Sequence, residues 1–388
     1  MTISFRWKKF IRLFCVFMGS LLIIVLLALG YLILTEPDIR IMKAASYTHN
    51  PNLPTILPPD RWKGTPLDEK GRFMNHEYPF WPYFKDLLRW QTERNPYKAQ
   101  KKQDTWRLKV VSDDSFLNSG EDVIVWLGHA TFFIRLNGVT LLTDPVFGNV
   151  GPVKRQVSMP VSPEKLKNVD YVLISHNHRD HCDEPSLKIV SARNPKATYL
   201  TGLKLDPLLK DFTKSENIQA AGWYQQYQTD TARIKIYYLP SRHWARRGLT
   251  DSNTQLWGAY VIQAGNTTIY FSGDTGYGSH LKEAGELFPD IDYCIIGVGA
   301  FAPRWFMGPN HIAPEDAVRG FHEMKARVMI PMHYGTFDLS DEPLGEPERL
   351  LKQLKEKNQI DGALKLLAIG EVMPVSGKGA HPVATLKD

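Results

Sequence analysis

Apolar residues along this chain fall into short dense runs from about residue 121 onward, and most of them read as strands. "DVIVWL" (122–127), "TFFIRL" (131–136) and "VTLL" (139–142) come first, and Asn137-Gly138 between the last two is a two-residue hairpin signal, since both positions tolerate positive φ. "YVLIS" (171–175), "TYL" (198–200), "IKIYYLP" (234–240), "WGAYVI" (257–262), "TTIYFSG" (267–273), "DYCIIGVG" (292–299), "RVMIPM" (327–332) and "LKLLAI" (364–369) follow. Between them, "EPSLKIVSARN" after Asp183, "PEDAVRGFHEMK" (314–325) and "PERLLKQLKEKN" near 350 read as helices. The first has Asp183 as a plausible N-cap and Pro185 in its first turn, and the second starts with Pro314 and acidic residues, as helix N-termini prefer. Early hairpins followed by strand–helix alternation predict an α/β fold of two packed sheets with helices outside.

The N-terminal part has a different pattern. Residues 13–34, "LFCVFMGSLLIIVLLALGYLIL", hold no charge, and "MTISFRWKKFIR" before them holds four positive charges and no acid. As a helix, 22 residues span a ~30 Å hydrocarbon core. The pattern predicts an uncleaved single-pass membrane anchor with a cytoplasmic N-terminus and the catalytic body on the extracytoplasmic side, periplasmic in a Gram-negative cell. Residues 35–115 are rich in proline and aromatics, with clusters such as "YPFWPYF" (78–84), and read as a linker and extension. The expected division is a basic tail (1–12), an anchor (13–34), this extension (35–115), a catalytic domain (116–376) and a C-terminal tail (377–388).

Composition changes this picture little. The chain has 388 residues, 43% hydrophobic and 23% charged, which suits a folded protein. Its net charge of +6 is spread rather than clustered, so a nucleic-acid partner is not expected, whereas an anionic membrane surface fits. Cys15, Cys182 and Cys294 give no disulfide framework. Cys294 lies in an apolar strand, while Cys182 directly follows a histidine-rich stretch.

That stretch, "LISHNHRDH" (173–181), carries the chemistry. His176, His178, Asp180 and His181 sit too close together for one tetrahedral ion to take all four. His243 follows "IYYLPSR", Asp274 ends "IYFSG" and His333 ends "MIPM", so four separate strands deliver a ligand-type residue just past their carboxyl ends, where open sheets build sites. Catalytic zinc sites use about three protein ligands per ion. Seven ligands therefore divide into His176, His178 and His243 for one divalent cation, and Asp180, His181 and His333 for a second, with Asp274 between them. Two such cations ~3.5–4 Å apart hold a hydroxide between them and clamp an ester. Zinc is the first expectation, with iron or manganese left open by the donor set.

With "WLGHATFFIRLNGVTLLTDPVF" (126–147), "SRHW" (241–244), "FSGDTGY" (271–277), "GAFAPRWFMGPNHIAPEDAV" (299–318) and "HYGTF" (333–337), this constellation resembles the metallo-β-lactamase fold, an αββα sandwich. Within that fold it is similar to N-acyl-phosphatidylethanolamine-hydrolysing phospholipase D and its bacterial relatives. The resemblance covers roughly residues 105–375; the apolar N-terminal segment lies outside it, and Tyr334 stands where those enzymes place tryptophan. It implies a metal-dependent phosphodiesterase, here membrane-anchored, that cleaves an N-acylated phospholipid to phosphatidic acid and an N-acylethanolamine. Asp274 and His311 are the expected catalytic residues. Arg304, Trp305 and Phe306 are expected to meet the substrate, and His129 and Asp144 to support the ligands. The alternative is the same hydrolase acting on another ester, a lactone or a cyclic nucleotide phosphodiester. A non-catalytic scaffold with a vestigial site is a third reading, against which the intact seven ligands speak. His49, His76, His280, His322 and His381 lack such a context and read as surface or packing residues, and oligomeric state is not legible.

Overall fold

A computed structural model describes residues 2–34 and 36–375; the expected C-terminal tail lies outside them. The chain forms two compact units. The smaller unit, residues 1–42 with 81–93, holds helix α1 (Thr2–Leu34) and helix α2 (Phe84–Thr92). Inside it, Phe84 N donates to Glu36 Oε1 at 2.5 Å and the Tyr83 hydroxyl donates to Pro37 O at 2.8 Å.

Among the described residues, no helix is long and apolar enough to cross a membrane, which corrects the anchor expected over residues 13–34. The single-pass placement, the cytoplasmic N-terminus and the membrane as a partner fall with the span on which they rested.

The larger unit, residues 43–80 with 94–388, is the sandwich. A short ribbon of β1 (Ser46–Thr48) and β2 (Thr65–Leu67) and helix α3 (Lys98–Gln103) precede it. Next in the chain come β3 (Val123–Gly128), β4 (Thr131–Leu136), β5 (Val139–Thr143), β6 (Tyr171–Ile174), helix α4 (Glu184–Arg193), β7 (Thr198–Gly202), helix α5 (Asp206–Thr213) and β8 (Ile218–Ala221). The second half runs β9 (Gln225–Gln226), β10 (Lys235–Leu239), β11 (Ala259–Ala264), β12 (Thr267–Phe271), α6 (Ser279–Leu287), β13 (Tyr293–Gly297), α7 (Arg304–Met307), α8 (Pro314–Glu323), β14 (Val328–Met332), α9 (Glu346–Glu356), β15 (Ala363–Leu364) and β16 (Val372–Pro374). One sheet has the order β16-β3-β4-β5-β6-β7-β8 and the other β15-β14-β13-β12-β11-β10-β9. Each sheet mixes antiparallel hairpins with parallel strands linked through helices.

The dense apolar runs follow from burial on both faces. Ile124 and Trp126 of β3 point to the core between the sheets, while Val123, Val125 and Leu127 pack outward with Leu187 and Val190 of α4 and Leu209 of α5. On the other side Leu281 of α6, Phe321 of α8 and Leu351 of α9 cover the second sheet. This is the expected αββα layering. At the expected hairpin Asn137 and Gly138 have φ of 49° and 69°, as a type I′ turn requires. The helix expected after Asp183 is capped by that residue, whose carboxylate accepts from Ser186 N at 3.0 Å. The strand expected over 364–369 is cut to Ala363–Leu364, because Ile369 N turns away to Lys109 O at 2.9 Å. Strands β8, β9 and β16 and helices α5 and α6 are additions to the expected elements, β9 and β16 being only two and three residues long.

Polar groups crossing the core fix the rim where the site lies. The Tyr260 hydroxyl reaches Ile174 O and Leu200 O at 2.8 Å, and the Tyr238 hydroxyl reaches Ser175 O at 2.9 Å. Trp126 Nε1 donates to His129 O at 2.9 Å and Trp257 Nε1 to Ser241 O at 3.0 Å. Truncating any one of these fully buried aromatics costs roughly 3–5 kcal/mol, so the loops they hold have a rigid foundation.

Candidate metal centre

The rim past the strand ends gathers the predicted residues. His176 follows β6, His243 follows β10, Asp274 follows β12 and His333 follows β14. His333, His129 and Asp144 hold positive φ of 65°, 53° and 33°, an uncommon conformation for residues other than glycine and one that clusters at functional sites.

Two four-residue groups of ligand-type atoms result, His176, His178, His243 and Asp274, then His129, Asp180, His181 and His333, with a third of Asp274, His311 and His333; within each, all the atoms lie within 4.8 Å of one another. Asp274 spans them. Its Oδ2 lies 3.2 Å from His181 Nε2, 3.7 Å from His243 Nε2 and 4.0 Å from His176 Nε2, and its Oδ1 lies 3.1 Å from His333 Nε2. His178 faces the first group through Nδ1, 2.8 Å from His176 Nε2 and 3.1 Å from His243 Nε2. Asp180 Oδ2 lies 3.6 Å from His181 Nε2, 3.7 Å from His333 Nε2 and 3.0 Å from His129 Nε2.

The donors fit divalent cations. Imidazole nitrogens and carboxylate oxygens are the ligands such ions take. Among the described residues the buried Nε2 atoms of His181 and His333 make no well-aligned hydrogen bond, although Asp274 oxygens lie 3.2 and 3.1 Å away, an arrangement a shared cation would satisfy. The protons also tell this story. Burial opposes ionisation of Asp180 and Asp274, yet the facing imidazoles, His181 first, hold both carboxyls well below the ordinary value. Burial likewise opposes protonation of His181 and His333, but the Asp274 and Asp180 carboxylates hold His181 well above its usual value and lift His333 to about 9. Two imidazolium protons thus supply positive charge where cations would. In the other group burial keeps His176 and His243 well below the usual range and His178 at about 4, ready as neutral ligands.

Supporting contacts orient the rings. Asp144 Oδ2 accepts from His181 Nδ1 at 2.8 Å and from the Ser175 hydroxyl at 2.6 Å, and its Oδ1 accepts from Ser175 N at 2.7 Å. His243 Nδ1 is 3.1 Å from Asn310 O. Such outer partners set which nitrogen is free to ligate. His129, expected to support the ligands, sits among them, and its backbone N–H donates to the Thr336 hydroxyl at 2.8 Å. His311 Nδ1 lies 3.8 Å from Asp274 Oδ2, and its ring is 18% exposed, so it lines the opening; burial lowers it to about 4. Arg304 is joined to Asp316 at 2.5 Å and Trp305 packs on Phe306 with ring centres 5.5 Å apart.

Residues not foreseen also take part. Asn75, from the proline-rich extension, donates through Nδ2 to His243 O at 2.8 Å and accepts from His243 N at 3.1 Å. His280, read as a bland packing residue, is buried with Nε2 2.8 Å from the Thr275 hydroxyl, which itself accepts from Arg242 N at 3.0 Å. These partners are distant in sequence, and no spacing signals them. Beside Arg242 and Tyr277 opens a cleft of about 500 Å³ lined by charges of both signs, Lys282 and Arg319 with Glu77 and Glu323, Arg319 Nε being 3.1 Å from Glu323.

The β-lactamase superfamily domain matches residues 140–334, a stretch that contains all seven expected ligands. The chain is 32% identical over 317 residues to N-acyl-phosphatidylethanolamine-hydrolyzing phospholipase D 1 of Caenorhabditis elegans, covering 76% of this chain and 88% of that protein. It is 31% identical over 251 residues to the mitochondrial N-acyl-phosphatidylethanolamine-hydrolyzing phospholipase D of Saccharomyces cerevisiae, covering 60% of this chain and 51% of the yeast protein. Among solved structures, isothiocyanate hydrolase from Delia radicum gut bacteria shares the fold at a TM-score of 0.54 and 20% identity, over 66% of this chain and 99% of that one. With the sandwich, the paired His/Asp groups and these matches together, the chain belongs to the metallo-β-lactamase superfamily and is a metal-dependent hydrolase of that fold.

Proposed function

We propose that the protein is a binuclear metal hydrolase of esters, with His176, His178 and His243 holding one cation, Asp180, His181 and His333 the other, and Asp274 shared. One observation carries this reading: a single buried carboxylate, Asp274, stands within 4.0 Å of imidazoles from both groups. The membrane-anchored phospholipase expected from the sequence is corrected, because no helix among the described residues is long and apolar enough to cross a membrane. What remains is the same hydrolase on another ester, a cyclic nucleotide phosphodiester or a lactone. The names of the worm and yeast relatives describe a phospholipase D, which acts on a phosphodiester, so we place the phosphodiester first.

Bound divalent cations, zinc before iron or manganese, supply Lewis acidity, lowering the pKa of water toward 7 and polarising the ester. The chain's own groups do the positioning. Asp274 presents acceptor oxygens toward the attacking water and aims it. Asp144 holds the His181 ring in one orientation. His311, neutral at physiological pH because burial lowers it, offers a ring N–H to an oxygen of the ester or its leaving group. Arg304, Trp305 and Phe306 stay assigned to the outer substrate path.

The test uses the purified zinc-loaded chain with bis-p-nitrophenyl phosphate, a cyclic nucleotide and a lactone. Turnover of a phosphodiester that disappears in Asp274→Asn is the expected result. Lactone turnover alone would shift the substrate class. Undiminished diester hydrolysis by Asp274→Asn would overturn the role given to that carboxylate.

A further inference from the structure

Four of the expected ligands lie within residues 176–181, and a stretch this short does not hold four ring and carboxylate directions by itself. His181 N and Cys182 N both donate to His178 O, at 3.1 and 2.8 Å, which makes a turn but leaves the ends of the stretch to be tied elsewhere. The tie comes from the loop that follows His243. That loop closes on itself: Asn253 N donates to Ala245 O at 2.7 Å, Ala245 N to Asn253 Oδ1 at 3.1 Å, and Asp251 accepts from Arg247 N at 3.2 Å and Gly248 N at 2.8 Å.

From this closed loop the Arg247 side chain crosses to the ligand stretch. Its Nη1 donates to Asn177 O at 3.1 Å and to Cys182 O at 2.8 Å, near the two ends of the turn, while the guanidinium rests over the Phe212 ring, 4.9 Å from its centre. Gln255 at the far end of the loop accepts from Asn177 Nδ2 at 2.6 Å. Asn177 is therefore a buried attachment point rather than a spacer between ligands. Both bonds leave one nitrogen, Nη1, through its two N–H groups, whose directions are fixed by the guanidinium plane that rests over Phe212.

We propose that Arg247 is a positioning residue for the cation centre, one that touches no ligand atom yet sets the shape of residues 176–181 and their separation from His243. The proposal rests on the two-cation reading above. It makes cation affinity and exchange depend on the main-chain clamp and not on ligand identity alone, as preorganised sites do.

The test measures zinc stoichiometry, zinc affinity by chelator competition, and the rise in melting temperature on zinc loading, for wild type, Arg247→Met and Arg247→Lys in the full chain. Arg247→Met is expected to lose about tenfold or more in zinc affinity and to gain less melting temperature from zinc than wild type does. Arg247→Lys, which keeps the charge but not the planar group resting over Phe212, should fall between them, and it carries the test if the methionine variant does not fold. A merely structural residue would lower the apo and zinc-loaded melting temperatures equally and leave affinity unchanged, and that outcome overturns the proposal. Wild type binding fewer than two cations would instead overturn the two-cation reading, so the two failures are distinguishable.

Discussion

Replacing Asp144 by asparagine removes a charge while hardly changing shape, so its effect isolates what the carboxylate does. Asparagine tolerates positive φ as aspartate does, so the backbone at φ 33° is not the issue. The carboxylate accepts three hydrogen bonds, two on Oδ2 from His181 Nδ1 and Ser175 Oγ and one on Oδ1 from Ser175 N. An amide has one oxygen, so one of these positions becomes NH₂. With NH₂ at the Oδ1 position, two donors confront each other at Ser175 N. With NH₂ at the Oδ2 position, it donates to His181 Nδ1 and forces the proton onto Nε2, the atom that faces Asp274 at 3.2 Å. Either choice spoils His181 as a ligand or leaves a buried group unsatisfied. Burial already pushes the Asp144 carboxyl above its ordinary value, against the His181 and Ser175 bonds, so the site holds this charge at a cost and would not keep it without a role.

Losing an outer partner of this kind lowers metal affinity about 10–100-fold, or ~1.4–2.8 kcal/mol at 1.4 kcal/mol per factor of ten. Competition against a chromophoric chelator, with near-ultraviolet circular dichroism as the control for folding, gives the number. An Asp144→Asn protein that folds normally and binds two zinc ions at wild-type affinity would refute the tautomer argument.

Other outcomes follow from the same geometry. Because His181 is held well above its usual value and His333 at about 9, both are protonated at neutral pH before cations bind. Cation uptake should then release about two protons and tighten as pH rises toward 9; calorimetry in buffers of different ionisation enthalpy measures this, and zero release contradicts it. Gly299→Ala would drive a Cβ into the His333 carbonyl, a backbone contact that cannot swing away, and should cost about 1–3 kcal/mol, seen as a lower urea midpoint together with weaker zinc binding. The buried Tyr334 hydroxyl has no partner, beside a cavity of about 20 Å³ with room for one water. Tyr334→Phe should therefore be neutral or stabilising by up to ~1 kcal/mol, and clear destabilisation would mean the hydroxyl bonds a buried water. His311→Ala should leave zinc content unchanged while lowering kcat about 10²–10⁴-fold; loss of zinc would make His311 a ligand instead.

Much of the sandwich was legible because its strands are buried on both faces, and that burial writes continuous apolar runs into the sequence, as in "DVIVWL" and "DYCIIGVG". Elements such as α5, α6 and β8, partly exposed and short, leave no such mark. The apolar stretch at 13–34 shows the opposite failure. Hydropathy reads length and composition, but no helix among the described residues is long and apolar enough to cross a membrane.

The proposed ligand set belongs to the sequence in a strong sense. His176, His178, Asp180 and His181 are neighbours, and strand ends mark His243, Asp274 and His333, so local pattern plus the rule that sites form at strand ends suffices to gather them. Tertiary structure alone decided how they are held. Asn75 reaches His243 across 168 residues, Arg247 reaches Cys182 across 65, and Asp144 reaches His181 across 37. Hydrogen bonds between side chains and distant carbonyls depend on distance in space and angle at the acceptor, and neither leaves a trace in the order of residues along the chain.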